Sequence, residues 1–330
     1  MSELATAVFA AQTGDHLVHA PRNERFASFR RSFDEAAYRR DLAARGLAWL
    51  GRSDAGYPAR LRAIHDPPPG LFVRSSRDLE LGERPVAAIV GARACSSYGS
   101  SVAQTLAREL AAAGVVVVSG LARGVDAAAH RGALASGLTI AVLGCGIDRD
   151  YPRAHAGMAA EISAKGWIVS EYAPGVEPAP WRFPARNRIV AGLADATIVV
   201  EARERSGALI TADLALDEGR EVLAVPGEIT SRLSRGTNHL LRVGATPVTC
   251  TADVLRVLGV ERATTPAPAA LDGRLDEIRS VVADAPADAD EIVRRTGLDA
   301  AQVAAGLAEL ELLGVVEQAD GRFREVMRQT

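Results

Sequence analysis

The chain has 330 residues, 48% of them hydrophobic, with a formal net charge of −3 and a pI near 6.1. That balance excludes a protein that coats nucleic acid through its overall charge, so any polyanion site has to be a local patch. The longest apolar runs, such as "AAAGVVVV" (111–118), fall far short of the ~20 residues a membrane span needs, and the N-terminus lacks a basic-then-apolar signal pattern. The expectation is a cytoplasmic protein with no membrane contact. Cys95, Cys145 and Cys250 stand apart, with no CxxC and no nearby histidine, so neither a disulfide framework nor a metal site is expected, and no cofactor fingerprint is present.

Residues 1–80 are polar and arginine-rich, with a helical pattern around Phe33 to Leu50, and close on "DPPPGLFVR" (66–74), whose prolines favour an extended connection. This segment reads as a small N-terminal helical module. From about residue 81 to 258, apolar β-branched runs alternate with helical segments: "VAAIVG" (86–91), "VVVVSG" (115–120), "LTIAVLG" (138–144), "WIVSEY" (167–172), "ATIVVEA" (196–202) and "EVLAVPG" (221–227). Unbroken apolar runs belong to strands covered on both faces, which predicts an α/β fold with a doubly wound parallel, Rossmann-like sheet. A Pro/Ala/Thr linker over 259–270 follows. Residues 271–330 read as three short helices and a hairpin turning near Asp320-Gly321, the pattern of a winged-helix module. Its would-be recognition helix, about Ala300 to Leu313, carries Glu309 and Glu311 and no cation, which equips it poorly for a DNA groove.

Ligands of open α/β sheets bind at the carboxyl ends of the strands. There the sequence repeatedly places glycines, hydroxyls and arginines: "GARACSSYG" (91–99), "SGLARGVDAAAH" (119–130), "GCGIDRDYP" (144–152), "EARERSGALIT" (201–211) and "PGEITSRLSRGTNHLL" (226–241). Backbone N–H groups and helix N-termini in such loops approach anions closely, and arginine forks hold their oxygens. Each loop alone is as well explained by chain geometry; five along one edge predict a phosphate-binding rim. Asp126 and His130, four apart on one helix face, read as a local hydrogen bond rather than a catalytic dyad. In "FPARNRIVAGL" (183–193), Pro184 reads as the first helical residue, which puts Arg186 and Arg188 in the first turn. Cations there are unfavourable by about 0.3–1 kcal/mol unless an anionic ligand sits at the helix start, so removing both is expected to leave thermal stability unchanged or higher. Phe183 beside them is either a stacking surface for a base or simply core.

Read in order, "VGARACSSYG", "SGLARGVDAAAH", "TIAVLGCGIDRDYP", "FPARNRIVAGL", "VVEARERSGALITADLALDEGREVLAVPG" and "RGTNHLLRVGA" resemble the DNA-processing protein A family, DprA or Smf, over about 86–250. The lead-in "YPARLRAIHDPPPGLFVR" (57–74) is similar as well, whereas no clear helix-hairpin-helix glycine motif precedes residue 57. The resemblance implies a non-enzymatic protein that binds and protects single-stranded DNA in natural transformation, loads the RecA recombinase onto it and forms homodimers through the Rossmann domain. Carried over by motif, the implied DNA contacts are Arg93 and Ser96 in the first loop, Gly120 and Arg123 in the second, and Phe183, Arg186, Asn187 and Arg188 in the fourth. Ser206, Gly207 and Thr211, with Gly236, Thr237 and Asn238, would complete the far side. With four to six arginine contacts, affinity would fall with salt at a log–log slope of roughly −3 to −4. The competing reading is a nucleotide phosphoribohydrolase of related fold. Its compact PGGxGTxxE loop is absent, since eight residues separate Pro226-Gly227 from Gly236-Thr237 and Leu240 stands where the glutamate would be. Glu171 and Glu201 remain as candidate acid and base at strand ends.

Overall fold

The computed structural model describes residues 2–14, 21–77, 81–261, 272–319 and 321–325. Three helices open the chain, α1 (Glu3–Thr13), α2 (Glu24–Ser32) and α3 (Glu35–Ala44). Each starts where a short polar side chain accepts a backbone N–H of the first turn: Ser2 from Ala5, Asn23 from Phe26, Asp34 from Ala37. Strand β1 (Leu47–Gly51), the short helix α4 (Ala59–Arg62) and β2 (Gly70–Arg74) follow. The helical pattern expected up to Leu50 therefore ends at Ala44.

The Rossmann-like part comprises β3 (Val86–Val90), α5 (Ser97–Ala112), β4 (Val116–Ser119), α6 (Val125–Ser136), β5 (Thr139–Val142), a 3-10 turn (Arg153–His155), α7 (Ala156–Lys165) and β6 (Trp167–Ser170). It continues with α8 (Arg182–Leu193), β7 (Ala196–Val199), α9 (Gly207–Asp217), β8 (Glu221–Ala224), α10 (Arg235–Arg242), β9 (Thr246–Pro247) and α11 (Thr251–Val257). One nine-stranded sheet results, in the order β1-β2-β6-β5-β4-β3-β7-β8-β9. Strands β3 to β9 pair in parallel, β2 lies antiparallel to β6, and β1 antiparallel to β2. Alternate residues feed opposite layers: Ile140 and Val142 join the core on one face, Ala141 and Leu143 the core on the other.

The N-terminal segment is not a separate module. Its strands extend the central sheet, and Met1–Glu261 is a single compact unit. Phe72 is fully buried, with its ring centroid 4.6 Å from that of Trp49, in a core that also takes in Leu4, Leu42 and Ile168. Burial of this apolar surface joins the described residues of the N-terminal segment to the sheet.

His130 and Asp126 do not bond to each other. Thr139 Oγ1 donates to the Val117 carbonyl (2.9 Å), so His130 Nδ1 donates to Thr139 Oγ1 (2.7 Å) and the ring is neutral. Burial pushes the His130 pKa down to about 3. Because the folded pKa lies below the unfolded one, the unfolded state takes up the proton first. Stability contributed here is complete above about pH 6.5 and is lost as pH falls from there toward 3. Urea unfolding at pH 7 and pH 4 checks this: His130→Leu is expected to narrow the stability gap between the two pH values.

Arg262–Thr330 forms a second compact unit. Helices α12 (Gly273–Asp284), α13 (Ala289–Thr296) and α14 (Ala300–Leu312) precede an antiparallel pair, β10 (Val316–Ala319) and β11 (Arg322–Glu325), while Ala287 bridges Phe323. Leu275, Ile278, Ile292, Val303 and Leu307 make its core. This is the winged-helix arrangement, with Glu309 and Glu311 exposed on α14. Of the linker expected over 259–270, residues 262–270 lie outside the described residues, as does the hairpin position Asp320.

Candidate nucleic-acid interface

Strand β3 has β4 on one side and β7 on the other, so the chain leaves the sheet in opposite directions after β3 and β7. At such a switch point a crevice opens at the carboxyl ends. Here it is a cavity of roughly 250 Å3, lined by Arg93 after β3, Gly120 and Ala122 after β4, Phe183, Arg186 and Asn187 on α8, and Ser206, Gly207 and Thr211 at the start of α9. Eight of the fourteen residues singled out from the sequence thus meet in one place.

The helix N-termini at this edge are not equivalent. At α5 the anion position is already filled: Ser96 N–H donates to Glu201 Oε2 (2.8 Å) and Ser96 Oγ to Glu201 Oε1 (2.5 Å). Gly99 is required there, because a Cβ would sit 2.5 Å from the Glu201 carboxylate. Ser96 is therefore engaged inside the fold rather than offered to a ligand. The Gly120 and Ala122 amides both donate to the buried Asp126 carboxylate (3.1 and 3.2 Å). What Gly120 supplies is space, since a Cβ would lie 2.5 Å from Arg186 Nη2. The start of α9 is open: Ser206 caps it by accepting from Ala208 N–H, and Gly207 is exposed with no atom near its Cβ position. The positive end of this eleven-residue helix faces the cavity.

The arginines divide in the same way. Helix α8 begins at Arg182, so Pro184 is its third residue, where a missing N–H costs no helical bond, and Arg186 and Arg188 fall in the second turn. Their burial, not a helix-start anion, explains them. Arg188 makes a two-pronged pair with Glu171 (3.1 and 2.7 Å) and a further bond to Asp66 (2.9 Å), and it does not line the cavity. Burial opposes its charge, but Glu171 and Asp66 outweigh that and raise its pKa. Arg186 lines the cavity floor yet is only 4% exposed, donating to the Gly120 carbonyl (2.9 Å) and to the Val142 carbonyl. Arg93 and Arg123 are exposed. Asn187 ties α8 to α9 by donating to the Gly207 carbonyl (3.3 Å).

Phe183 is half-buried. The Arg93 guanidinium lies 5.4 Å from its ring centroid, and the Tyr151 ring stacks on it at 5.4 Å and 29°. Gly144 backs it closely, since a Cβ there would be 2.8 Å from Phe183 Cδ1.

A family model described as DNA recombination-mediator protein A matches residues 48–259. The chain belongs to the DNA recombination-mediator protein A family. A second model, the DprA winged helix domain, matches residues 262–322. Protein Smf of Escherichia coli is 36% identical over 342 aligned residues, covering 98% of this chain and 88% of its own. A DNA processing protein DprA of Mycobacterium tuberculosis is 44% identical, covering 84% of this chain and 73% of its own. Among solved structures, DNA processing protein A of Streptococcus pneumoniae aligns with TM-score 0.66 and 37% identity over 79% of this chain and 93% of that one. That of Helicobacter pylori, described as having a unique single-stranded DNA binding mode, aligns with TM-score 0.59 and 33% identity over 64% and 95%.

In this family member Gly236, Thr237 and Asn238 stand outside the cavity. Gly236 N–H donates to the Ala202 carbonyl (2.8 Å), Thr237 is buried, and Asn238 clasps Gly227 through both its amide groups (3.2 and 2.9 Å). They lock α10 onto the β7 and β8 loops, and Gly236 and Asn238 border a separate hollow with Ile229 and His239. Arg203 and Arg205, in the β7 loop that leads into α9, and Tyr151 after β5 are exposed as well, and no local sequence pattern sets them apart. The candidate acid and base are both engaged, Glu171 with Arg188 and Glu201 with Ser96. No helix among the described residues is long and apolar enough to cross a membrane.

Proposed function

We propose that this chain binds single-stranded DNA in natural transformation and recombination, protects it, delivers it to the RecA recombinase as a homodimer, and performs no chemistry on it. One observation carries the reading: a single cavity brings together an uncapped-by-anion helix N-terminus at Gly207, the exposed guanidinium of Arg93 and the ring of Phe183. A helix end and a guanidinium suit a phosphate, an aromatic plane suits an unstacked base, and only a single strand offers both without breaking a duplex. The Helicobacter pylori relative, named for its single-stranded DNA binding, supports the assignment. The proposed DNA contacts are accordingly Arg93, Arg123, Phe183, Asn187, Ser206, Gly207 and Thr211, with Arg203 and Arg205 added. Ile229, 91% exposed, and Val243, 63% exposed, offer apolar surface for a second copy.

A gel-shift comparison tests this. A single-stranded 20-mer is expected to be shifted at concentrations where the matching duplex is not. Equal affinity for both, or release of free base from AMP on incubation with the protein, would contradict it.

A further inference from the structure

Phe183 is not the outermost ring at this edge, because the Tyr151 ring stacks on it. Tyr151 is the plane that reaches solvent. It is 44% exposed, and it lies outside the residues lining the cavity. Side chains on both flanks tie down the loop that carries it. Asp150 pairs with Arg74 (2.5 Å), and His155 Nδ1 lies 3.0 Å from the Leu121 carbonyl, in the same loop as Gly120. Two residues after Tyr151, Arg153 is exposed, and its carbonyl accepts from Ala156 N–H while its guanidinium is in no side-chain hydrogen bond or ion pair among the described residues. A held aromatic plane with a cation beside it in the chain is the minimal equipment for one nucleotide, a base on the ring and a phosphate on the guanidinium.

We propose that Tyr151 and Arg153 form a second nucleotide subsite, outside the cavity, which receives another base and phosphate of the same strand. This rests on the single-strand reading above. Tyr151 stacks on Phe183, which lines the cavity, so a base on Tyr151 extends a stack that is already formed in the free protein.

The test uses the full chain and a fluorescein-labelled 12-mer of thymidine, followed by anisotropy. Tyr151→Ala is expected to weaken binding by about 5- to 100-fold, the range for one lost base stack, while Tyr151→Phe binds like wild type. Tyr151→Leu keeps apolar contact with Phe183 but offers no plane, and is expected to fall with the alanine variant. Arg153→Ala is expected to reduce the log–log salt slope by about 0.7. Abasic residues placed one at a time along the 12-mer add the decisive reading: at one position the abasic penalty seen with wild type should vanish in Tyr151→Ala. Wild-type binding with an unaltered Tyr151→Ala, or with a Tyr151→Leu as tight as wild type, overturns the subsite and leaves the cavity reading intact. No binding of the 12-mer by wild type overturns both.

Discussion

Arg188→Ala is expected to lower the unfolding free energy by about 3–5 kcal/mol, the cost of leaving a buried partner charge uncompensated. The Arg188 and Glu171 side chains are 9% and 5% exposed, and Asp66 completes the arrangement at 2.9 Å. In a unit of this size each kcal/mol moves the melting temperature by ~2–4 °C, so a drop of roughly 6–20 °C should appear in a thermal melt. Removing Glu171 instead should cost a similar amount. Replacing both by apolar residues, Arg188→Met with Glu171→Leu, should recover most of the loss, because no lone charge then remains buried. The result separates two explanations of the arginines in α8. Cations placed unfavourably in a first turn would leave the melting temperature unchanged or raised when removed; a buried ion pair gives a large fall.

The second large effect is on DNA. Arg93→Ala, Arg203→Ala and Arg205→Ala together remove three of the four exposed guanidiniums, Arg123 being the fourth, that the loops after β3, β4 and β7 present at the carboxyl edge. At about 1 kcal/mol or more for each lost charge-assisted contact, single-strand affinity at low salt should fall by roughly 100-fold or further. The salt slope should shrink by about 2, three contacts at about 0.7 each. Melting temperature should hold, since surface arginines contribute little to stability. Ser96→Ala is the contrasting control: its hydroxyl is engaged by Glu201, so the salt slope should not change. Binding titrations of both variants by anisotropy check the pair of expectations.

The central strands were legible because burial on both faces leaves unbroken apolar runs, as in "VAAIV" and "VVVS". Strand β1 was not, since "LAWLG" alternates buried and exposed positions and continues directly from a helical stretch. Strand β2 was visible as extended chain around Pro67–Pro69, but its pairing with β6, Phe72 against Ser170, is a contact no local pattern encodes. At the site, Gly120, Ser206, Gly207 and Thr211 line the cavity because loop position follows from strand order, whereas Ser96, Gly236 and Thr237 lie outside it. What each polar group faces depends on partners far along the chain. Glu201 lies 105 residues from Ser96, and Asp66 lies 122 from Arg188; both carboxylates claim groups that the sequence offers to a ligand. Arg203 and Arg205 were missed for the converse reason. Nothing in the sequence distinguishes an arginine left exposed from one buried against a carboxylate, and this chain carries both kinds.

A salt titration of single-stranded oligonucleotide binding by the unaltered protein addresses the central claim most directly. The four exposed arginines in the loops after β3, β4 and β7 imply a log–log slope of about −3 or steeper, hence a loss of roughly 50-fold or more in affinity between 50 and 200 mM monovalent salt. A slope near zero would contradict the account, because it would mean that the strand is not held by its phosphates.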